Sequence, residues 1–481
     1  MATPIPSNEC VFRLDEVAAA TGGMVFGAPQ DTIVRGVATD TRALSAGALF
    51  VALRGAERDG HLYLDEAARR GAAAALAARG RRCAGLATVE VDDTLVALGD
   101  LARYHLRRMR LAHPLQCVAV GGAVGKTTTK ELCAAAVRAL FGETLATPGN
   151  LNNLIGVPMT IFMLEGNHRA AVLECGTSIR GEIPRLARIV EPDVAVVLNV
   201  DVEHSEGLGG LEETADEEAA LFATASRALV ACTEEQLVME RLPRGAQVVT
   251  FGNSAAADVR IAERAPDAGG RTRITLILSP RLIAAGSPAR LDTELALLGA
   301  AAARNAAAAV AAAAALRGRP LEAAELDALA RALASVAPVD GRLVIRTCGG
   351  VIVLDDTYNA NPRSVRVALE AAREMAQARG ARLLVALGDM LELGALAPAM
   401  HAEAVDDVMR LAAPAAFIAV GPEMTAAASR ATALVRRDGI VTAPDSAAAA
   451  LVVRALARAG DVLLVKGSRG IRMERIIEAL D

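Results

Sequence analysis

The sequence feature that most constrains this chain is residues 116–131, where a strand, a glycine loop and a helix are predicted in immediate succession. The apolar run 117–120 is typical of a buried strand, and the Ala- and Leu-rich pattern of residues 131–140 predicts a helix. Three glycines lie between them: Gly121, Gly122 and Gly125. Glycines let backbone N–H groups curve around a phosphate, and the start of the helix adds a positive partial charge. This order of elements therefore predicts a phosphate-binding loop.

The residues after the glycines supply the remaining chemistry of a nucleoside triphosphate site. Lys126 provides a positive charge for the phosphates, and Thr127 provides a hydroxyl for Mg²⁺. The strict spacing of the P-loop pattern would place glycine where this chain has Val120. A tight turn with an incidental lysine is the alternative, but strand, loop and helix are the context that the motif requires. We expect ATP to contact Gly122, Ala123, Val124, Gly125, Lys126, Thr127 and Thr128.

The scarcity of lysine strengthens this interpretation. Only three of the 51 basic residues are lysine, and the others are arginine. Such a bias suggests a GC-rich coding sequence, in which lysine remains mainly where its compact ammonium cannot be exchanged for a planar guanidinium. Two of the three lysines, Lys126 and Lys130, lie in the predicted phosphate loop, and the third is Lys466.

Length and composition limit the class of protein. A chain of 481 residues predicts two to four domains, and 53% hydrophobic with 22% charged residues indicates a globular protein. A net charge of −5 and only 2% aromatic residues argue against a nucleic-acid partner. Seven scattered cysteines without a CxxC pair fit a reduced cytosolic protein. The sequence suggests neither a signal peptide nor a membrane span, so we expect a cytoplasmic protein without membrane insertion.

Alternating strand and helix patterns predict an α/β fold of three domains. Residues 1–112 are expected to form a small α/β unit, in which residues 63–78 are predicted to be helical. Residues 113–337 are expected to form a doubly wound, P-loop-type ATPase unit around the phosphate loop. Residues 338–481 resume the alternation and predict a Rossmann-like α/β domain. No GxGxxG motif opens this last domain, so it is not predicted to bind NAD.

Two further strands carry metal-ligating side chains at or after their carboxyl ends. Residues 170–173 precede Glu174, and residues 194–200 precede His204. Ligands of open α/β sheets bind at the carboxyl ends of strands, so both side chains should face Thr127. A hydroxyl, a carboxylate and an imidazole can hold Mg²⁺ between phosphate and acceptor. Taken singly, Glu174 fits a surface carboxylate and His204 a loop histidine, but the three groups together favour a metal site.

Polar segments elsewhere are candidate substrate contacts. Residues 39–42 follow a strand-like run, and simple capping of a turn explains them equally well. Asn152 and Asn153 lie in a Gly- and Asn-rich connection, where their amides either satisfy loop backbone or contact substrate. Three strands of the last domain also end in polar residues, at 355–362, 388–394 and 466–469.

Together these segments resemble the Mur ligase family over essentially the whole chain. The phosphate loop with its following Thr-Thr-Lys-Glu, the paired asparagines at 152–153 and the segment 358–362 are particular to one branch of the family. Such a set is far more specific than any single motif. The residues that carry the resemblance are 40–42, 47–53, 122–131, 149–158, 174, 181–183, 199–204, 355–362, 388–394 and 466–469.

The resemblance implies a role for each domain. The first would hold a uridine nucleotide around Asp40, Thr41 and Arg42. The central domain would bind ATP and Mg²⁺, with Asn305 at the adenine. The third would close over the site and help to bind an incoming dipeptide. The further implied contacts are Arg342, Asp356 and Asn359 for ATP, and Asn152, Asn153, Asn361, Lys466 and Arg469 for the substrates.

Two positions depart from the family pattern. The family usually has His-Asn followed by another Asn in its adenine helix, where this chain has Arg304, Asn305 and then Ala308. The family also usually carries a carbamylated lysine fourteen residues after the metal histidine, and here that position is Glu218. A glutamate offers an anionic carboxylate without CO₂, on a shorter stem. We expect Glu218 to bind a metal directly or through water; the alternative is a solvated helix residue.

The activity that the resemblance implies is ATP-dependent amide formation. An acyl phosphate of UDP-N-acetylmuramoyl-tripeptide would react with D-alanyl-D-alanine to give a peptidoglycan precursor, with Lys126, Glu174, His204 and Glu218 acting in catalysis. The alternatives are another amino-acid ligase of the Mur or folylpolyglutamate type, and a catalytically silent nucleotide-binding relative. A monomer is the default of the family. The sequence leaves open whether the third residue of the tripeptide is diaminopimelate or lysine.

Overall fold

The computed structural model describes residues 3–55, 58–201, 205–434 and 439–480. Its strands form three main sheets that follow one another along the chain, and helices pack against each sheet. Parallel pairing prevails in all three sheets. The prediction of an α/β fold is therefore confirmed.

The first unit is a small α/β fold. Among the described residues its sheet has the order β2-β7-β6-β5-β4, with β4 to β7 parallel and β2 antiparallel, and β1 pairs with β3 beside it. Its elements are β1 (Val11–Arg13), α1 (Leu14–Thr21), β2 (Met24–Phe26), β3 (Ile33–Arg35), β4 (Val37–Ala38), β5 (Leu49–Val51), α2 (Leu64–Arg69), β6 (Ala74–Ala78), β7 (Ala87–Val91) and α3 (Thr94–Ala112).

The helix predicted over residues 63–78 is wrong in its second half. Helix α2 ends at Arg69, Gly71 adopts a φ of 87°, and the chain then enters strand β6. Alanine has the highest intrinsic helix propensity, which explains the prediction. Residues 74–77 of β6 are instead buried between β5 and β7, so tertiary burial decides the structure of this segment.

The central unit contains the phosphate loop. In the described part of the chain its sheet has the order β16-β15-β14-β13-β12-β11-β8-β10-β9, parallel from β9 to β14 and antiparallel beyond. Its elements are β8 (Gln116–Gly121), α4 (Lys126–Phe141), β9 (Thr144–Ala146), α5 (Gly156–Ile161), β10 (Ala170–Glu174), α6 (Glu182–Val190), β11 (Val194–Val197), α7 (Ser205–Leu208), α8 (Leu211–Ala219), β12 (Ala228–Cys232), α9 (Gln236–Met239), β13 (Val248–Gly252), β14 (Val259–Pro266), β15 (Thr272–Leu278), β16 (Arg290–Leu295), α10 (Gly299–Arg317) and α11 (Ala323–Ala334).

The topology of this sheet places the site. Strand β8 lies between β10 and β11, and the chain runs to one side of β8 through β9 and β10 before it crosses to β11. In register, Glu174 at the end of β10 is opposite Val120, and Val197 at the end of β11 is opposite Gly121. The loop after β8 therefore opens into the crevice where the strand order reverses, which is where open α/β sheets bind ligands.

Helix α10 is, among the described residues, the one long and apolar enough to cross a membrane by length and composition. In this structure 83% of its apolar window is buried inside the molecule. It packs against α4 and against the strands β12 to β14, and its alanine side chains allow these elements to approach closely. It is therefore a core helix of the central unit.

The third unit has its own parallel sheet. Within the described residues the strand order is β17-β18-β22-β19-β20-β21, with only the β17–β18 pair antiparallel. Its elements are β17 (Val344–Cys348), β18 (Val351–Asp356), α12 (Pro362–Arg379), β19 (Leu383–Gly388), α13 (Ala397–Asp407), β20 (Ala416–Val420), α14 (Pro422–Leu434), β21 (Ile440–Ala443), α15 (Ser446–Leu456), β22 (Val462–Lys466) and α16 (Glu474–Glu478).

Two arginines connect the central and third units. Arg264 in β14 donates from both terminal nitrogens to the carboxylate of Glu374 in α12, at 2.7 and 2.6 Å. Arg363 in the first turn of α12 pairs with Glu235, and its backbone N–H donates to Asp201 at 3.0 Å. Because α12 begins at Pro362, the last residue of the polar segment 355–362, these contacts hold that segment against the central unit.

Candidate active site

A cleft of about 450 Å³ lies between the central and third units. The central unit contributes the phosphate loop, the Asn-rich connection, the end of β10 and one face of α10. The third unit contributes the polar ends of β18 and β22. Most of the predicted site residues line this cleft: Ala123, Val124, Gly125, Lys126, Thr127, Thr128, Asn152, Asn153, Glu174, Asn305, Arg342, Asp356, Asn359, Asn361 and Lys466.

The phosphate loop requires glycine at two positions. Gly122 and Gly125 have φ values of 115° and 93°, in the left-handed region that favours glycine. A Cβ on Gly122 would lie 3.0 Å from the backbone of Asn199, and one on Gly125 would lie 2.9 Å from Oδ1 of Asn305. Asn305, the predicted adenine contact, therefore lies directly against the loop. The loop is closed by neighbours that leave no room for a side chain.

Asn199 fixes the loop, a role that the sequence patterns do not predict. Its Oδ1 accepts from the backbone N–H of Val124 and its Nδ2 donates to the carbonyl of Val124, both at 2.8 Å. Its own carbonyl accepts from the N–H of Ala123 at 3.0 Å. The sequence indicates this role only through the position of Asn199, a polar residue just beyond β11, the strand that pairs with β8. Asn199 thus holds the loop in its curved form.

Lys126 begins helix α4 and lies over the loop. Its Nζ donates to the carbonyls of Gly122 at 2.5 Å and of Ala123 at 3.1 Å. The ammonium is therefore held at the concave side of the loop, where a bound triphosphate would meet it.

Glu174 and Thr127 meet beside the loop. The hydroxyl of Thr127 donates to Oε1 of Glu174 at 3.1 Å, and Nδ2 of Asn152 donates to the same oxygen at 2.8 Å. Glu174 is only 1% exposed, and its Oε2 has no hydrogen-bond partner among the described residues. The interpretation of Glu174 as a surface carboxylate is wrong. A buried carboxylate oxygen beside a threonine hydroxyl suits a hard cation such as Mg²⁺.

Glu218 lies behind the phosphate loop. It is fully buried, and its Oε2 accepts from the backbone N–H of Gly122 at 2.7 Å. The alternative of a solvated helix residue is therefore wrong. His204 lies outside the described residues, and in the part that is described no three His, Cys, Asp or Glu side chains group as a ready metal site.

The two asparagines of the Asn-rich connection have different partners. Asn152 donates to Glu174, and thus orients a candidate metal ligand. Oδ1 of Asn153 accepts from the N–H groups of Ile155 and Gly156, at 3.1 and 2.8 Å, at the start of α5. Both asparagines also line the cleft, so each side chain makes local hydrogen bonds and can still meet a substrate in the cleft.

The third unit presents to the cleft an ion pair between a buried lysine and a partly buried aspartate. Nζ of Lys466 donates to Oδ2 of Asp356 at 2.6 Å and to the carbonyl of Asn359 at 2.9 Å. The guanidinium of Arg342 lies 4.2 Å from the ring centre of Tyr358, a cation–π contact. Lys466 therefore fixes the strand end that carries the predicted ATP contacts.

A smaller cavity of about 80 Å³ adjoins the cleft and shares Asn359 and Asn361 with it. Oδ1 of Asn361 caps helix α12 by accepting from the N–H of Ser364 at 2.8 Å. Arg469, a predicted substrate contact, lines this smaller cavity and is exposed.

The polar turn of the first unit is built as turn capping predicts. Oδ1 of Asp40 accepts from the backbone N–H of Arg42 at 2.9 Å, and the guanidinium of Arg42 donates to the same carboxylate at 2.6 Å. This hydrogen bond holds the pKa of the Asp40 carboxyl below its usual range. Thr41, the residue between them, is buried. None of these three residues lines the cleft.

A phosphate loop at the switch point of one α/β unit, facing the strand ends of another, defines an ATP-binding α/β enzyme. Three protein-family models match the chain and agree with this class. "Mur ligase family, catalytic domain" matches residues 33–105, "Mur ligase middle domain" matches 120–313, and "Mur ligase, glutamate ligase domain" matches 341–469. The chain belongs to the Mur ligase family. The resemblance predicted from the sequence is confirmed.

Relatives along nearly the whole chain carry one function in their names. The UDP-N-acetylmuramoyl-tripeptide--D-alanyl-D-alanine ligase of Escherichia coli is 33% identical over 97% of this chain and 98% of its own length. That of Bacillus subtilis is 31% identical over 94% of each chain. A crystal structure of MurF from Acinetobacter baumannii superposes with a TM-score of 0.86 at 27% identity, covering 98% and 99% of the two chains. MurF of Thermotoga maritima, solved in complex with ADP, has a TM-score of 0.77 at 26% identity, covering 92% and 96%.

The pair of hydrogen bonds from Asn199 to the loop yields a direct prediction. Replacing Asn199 by Ala removes two bonds, each worth about 1 kcal/mol, so ATP affinity should fall roughly 10- to 30-fold when measured by isothermal titration calorimetry. Asn8 provides a matched control, because it makes the same pair of bonds to Val37, both at 2.9 Å. Asn8→Ala should leave ATP affinity unchanged. Equal ATP affinities of Asn199→Ala and the wild type would contradict the role of Asn199.

Proposed function

We propose that this chain is an ATP-dependent, ADP-forming ligase that joins D-alanyl-D-alanine to UDP-N-acetylmuramoyl-tripeptide and so produces the pentapeptide precursor of peptidoglycan. The observation that carries the proposal is the buried carboxylate of Glu174, held beside Thr127 at a phosphate loop. The names of the full-length relatives supply the substrates. The protein is expected to act in the cytoplasm as a monomer, with no nucleic acid and no membrane insertion.

ATP is proposed to bind in the main cleft. The loop residues Gly122 to Thr128 receive the phosphates, and Asn305 contacts the adenine. Arg342, Asp356 and Asn359 approach the nucleotide from the third unit. The position of Asn305 against Gly125 supports this arrangement, because it brings the adenine side of the site next to the phosphates.

Mg²⁺ fits this site because a buried carboxylate oxygen of Glu174, to which no described residue donates a hydrogen bond, belongs to the carboxylate that lies beside the Thr127 hydroxyl. Thr127 and Glu174 would hold the ion, and Glu218 and His204 are the further proposed ligands. A bound Mg²⁺ supplies positive charge that offsets the charge on the transferred phosphoryl group. The hydrogen bond from Gly122 to Glu218 keeps this second carboxylate next to the loop.

The reaction proceeds in two steps. The γ-phosphoryl group moves from ATP to the terminal carboxylate of the tripeptide, which gives ADP and an acyl phosphate. The amine of D-alanyl-D-alanine then attacks the acyl carbon, an amide bond forms, inorganic phosphate leaves, and the amine releases a proton. Lys126 offsets negative charge on the phosphoryl group, and no protein nucleophile is needed. Orientation of the reactants and exclusion of water by the third unit provide the remaining catalysis.

The substrates are proposed to span all three units, with domain limits at 1–112, 113–337 and 338–481. The uridine nucleotide lies at Asp40, Thr41 and Arg42, where the exposed guanidinium of Arg42 remains accessible. Asn152 and Asn153 face the tripeptide side of the cleft. The dipeptide is assigned to the smaller cavity, which is lined by Asn361 and Arg469 next to Lys466.

Two alternative functions have less support. A different Mur or folylpolyglutamate-type ligase is disfavoured by the segment 358–362 and by the names of the full-length relatives. A silent nucleotide-binding relative would not need the intact arrangement of Lys126, Thr127 and Glu174.

One assay tests the proposed function. Phosphate release is measured with ATP, UDP-N-acetylmuramoyl-tripeptide and D-alanyl-D-alanine, and then with each omitted in turn. Release should require all three, and Lys126→Met should lower kcat roughly 100-fold because a phosphate-facing charge is lost. Turnover without the dipeptide, or none with all three substrates, would contradict the proposal.

The proposed metal role of Glu218 is tested separately. Glu218→Gln keeps an oxygen that can accept from Gly122 but removes the charge, so the Mg²⁺ concentration at half-maximal rate should rise by about tenfold. Glu217→Gln is a matched control, because the neighbouring Glu217 is also buried and accepts from two backbone N–H groups, those of Gly181 and Ile183. This control should keep the Mg²⁺ requirement of the wild type. An unchanged requirement in Glu218→Gln would remove Glu218 from the metal site.

A further inference from the structure

Lys130 is a buried lysine that the proposed reaction does not use. Its side chain is 0% exposed and is among the largest fully buried side chains of the protein. Burial of an ammonium is costly unless it is paired and hydrogen-bonded. Here Nζ donates to the carbonyl of Thr147 at 2.7 Å and pairs with Glu131, whose side chain is 37% exposed. The contact with Thr147 is therefore the one that points into the protein.

The partner of Lys130 leads to the metal site. Thr147 directly follows strand β9 and opens the Asn-rich connection. Its hydroxyl oxygen accepts from the backbone N–H of Glu174 at 2.9 Å, and it is 1% exposed. Glu174 in turn accepts from the hydroxyl of Thr127. One residue, Thr147, thus contacts both the buried lysine and the strand end that carries the candidate metal carboxylate.

These contacts form a closed ring. Thr127 and Lys130 are three residues apart on helix α4, so they share one face of the helix. From Thr127 the ring runs through Glu174 and Thr147 and returns to the helix at Lys130. A closed ring restrains the distance between the Thr127 hydroxyl and the Glu174 carboxylate, which an open chain of bonds would leave adjustable.

We propose that Lys130 is a positioning residue for the Mg²⁺ site: it ties the phosphate-binding helix to the strand of Glu174 through Thr147, and so sets the spacing of the two metal-binding oxygens. This inference rests on the proposed function, in which Thr127 and Glu174 hold Mg²⁺. An arginine would not replace it, because a planar guanidinium does not fit where a compact ammonium is fully enclosed. The persistence of lysine at this position in a chain with three lysines agrees with that requirement.

The experiment measures how strongly Mg²⁺ promotes ATP binding, without the peptide substrates. The dissociation constant of ATP is determined by calorimetry with excess Mg²⁺ and with EDTA, and their ratio is compared between variants. Lys130→Met keeps an unbranched side chain, one atom shorter, but removes the ammonium. Its affinity in EDTA should stay within about twofold of the wild type, whereas the Mg²⁺-dependent enhancement should fall by about tenfold. A general loss of structure would instead weaken ATP binding equally under both conditions.

Three further variants keep the proposal falsifiable even where Lys130→Met does not fold. Glu131→Gln removes only the negative charge of the outer partner of Lys130 and should retain the enhancement. Thr147→Val removes the hydroxyl that accepts from the N–H of Glu174, so the ring is opened and the Mg²⁺-dependent enhancement should be lost. Thr147→Ser keeps the hydroxyl and should keep the enhancement. Equal enhancement in Thr147→Val and Thr147→Ser, or wild-type enhancement in folded Lys130→Met, would overturn the role of Lys130 but leave the proposed metal site standing. A wild-type protein without any Mg²⁺ enhancement would overturn both this inference and the proposed metal site.

Discussion

The buried carboxylate of Glu174 is the group on which the rest of the active site depends. A charge without water is tolerated only where hydrogen bonds or a cation compensate it. Here Thr127 and Asn152 donate to one oxygen of Glu174, and the other oxygen accepts no hydrogen bond from the described residues, which leaves it available to the proposed cation. The phosphate loop, the Asn-rich connection and the end of β10 must therefore be assembled together, because each supplies part of the environment of this single carboxylate.

The third unit completes the site from the opposite side. Amide formation through an acyl phosphate competes with hydrolysis, so the cleft must exclude water while the amine arrives. Arg264 and Arg363 each form an ion pair between the central and third units, which are the two units that would have to close. Lys466 fixes Asp356 at the cleft, so the ligand-facing end of β18 is ordered by the same sheet that forms the core of the third unit. Closure and organisation of the site are thus coupled through α12 and its preceding segment.

Much of this arrangement could be predicted from the sequence. The strand, loop and helix around Lys126 and the delivery of Glu174 at a strand end depend on local patterns, and both are found. Residues 74–78 were mispredicted because alanine fits a helix and a buried strand equally well, and only the neighbouring strands decide between them. The enclosure of Glu218 and the ring through Lys130 depend on contacts between residues far apart in the sequence. Periodicity carries no information about such contacts.

The central claim is that the tripeptide carboxylate is activated by phosphorylation in this cleft. The most direct measurement labels the terminal carboxylate of the tripeptide with ¹⁸O and analyses the inorganic phosphate by mass spectrometry. Attack of the amine on an acyl phosphate leaves one carboxylate oxygen on the departing phosphate, so the account predicts one ¹⁸O in each phosphate formed together with the amide product. Phosphate without the label, formed together with the amide product, would contradict it.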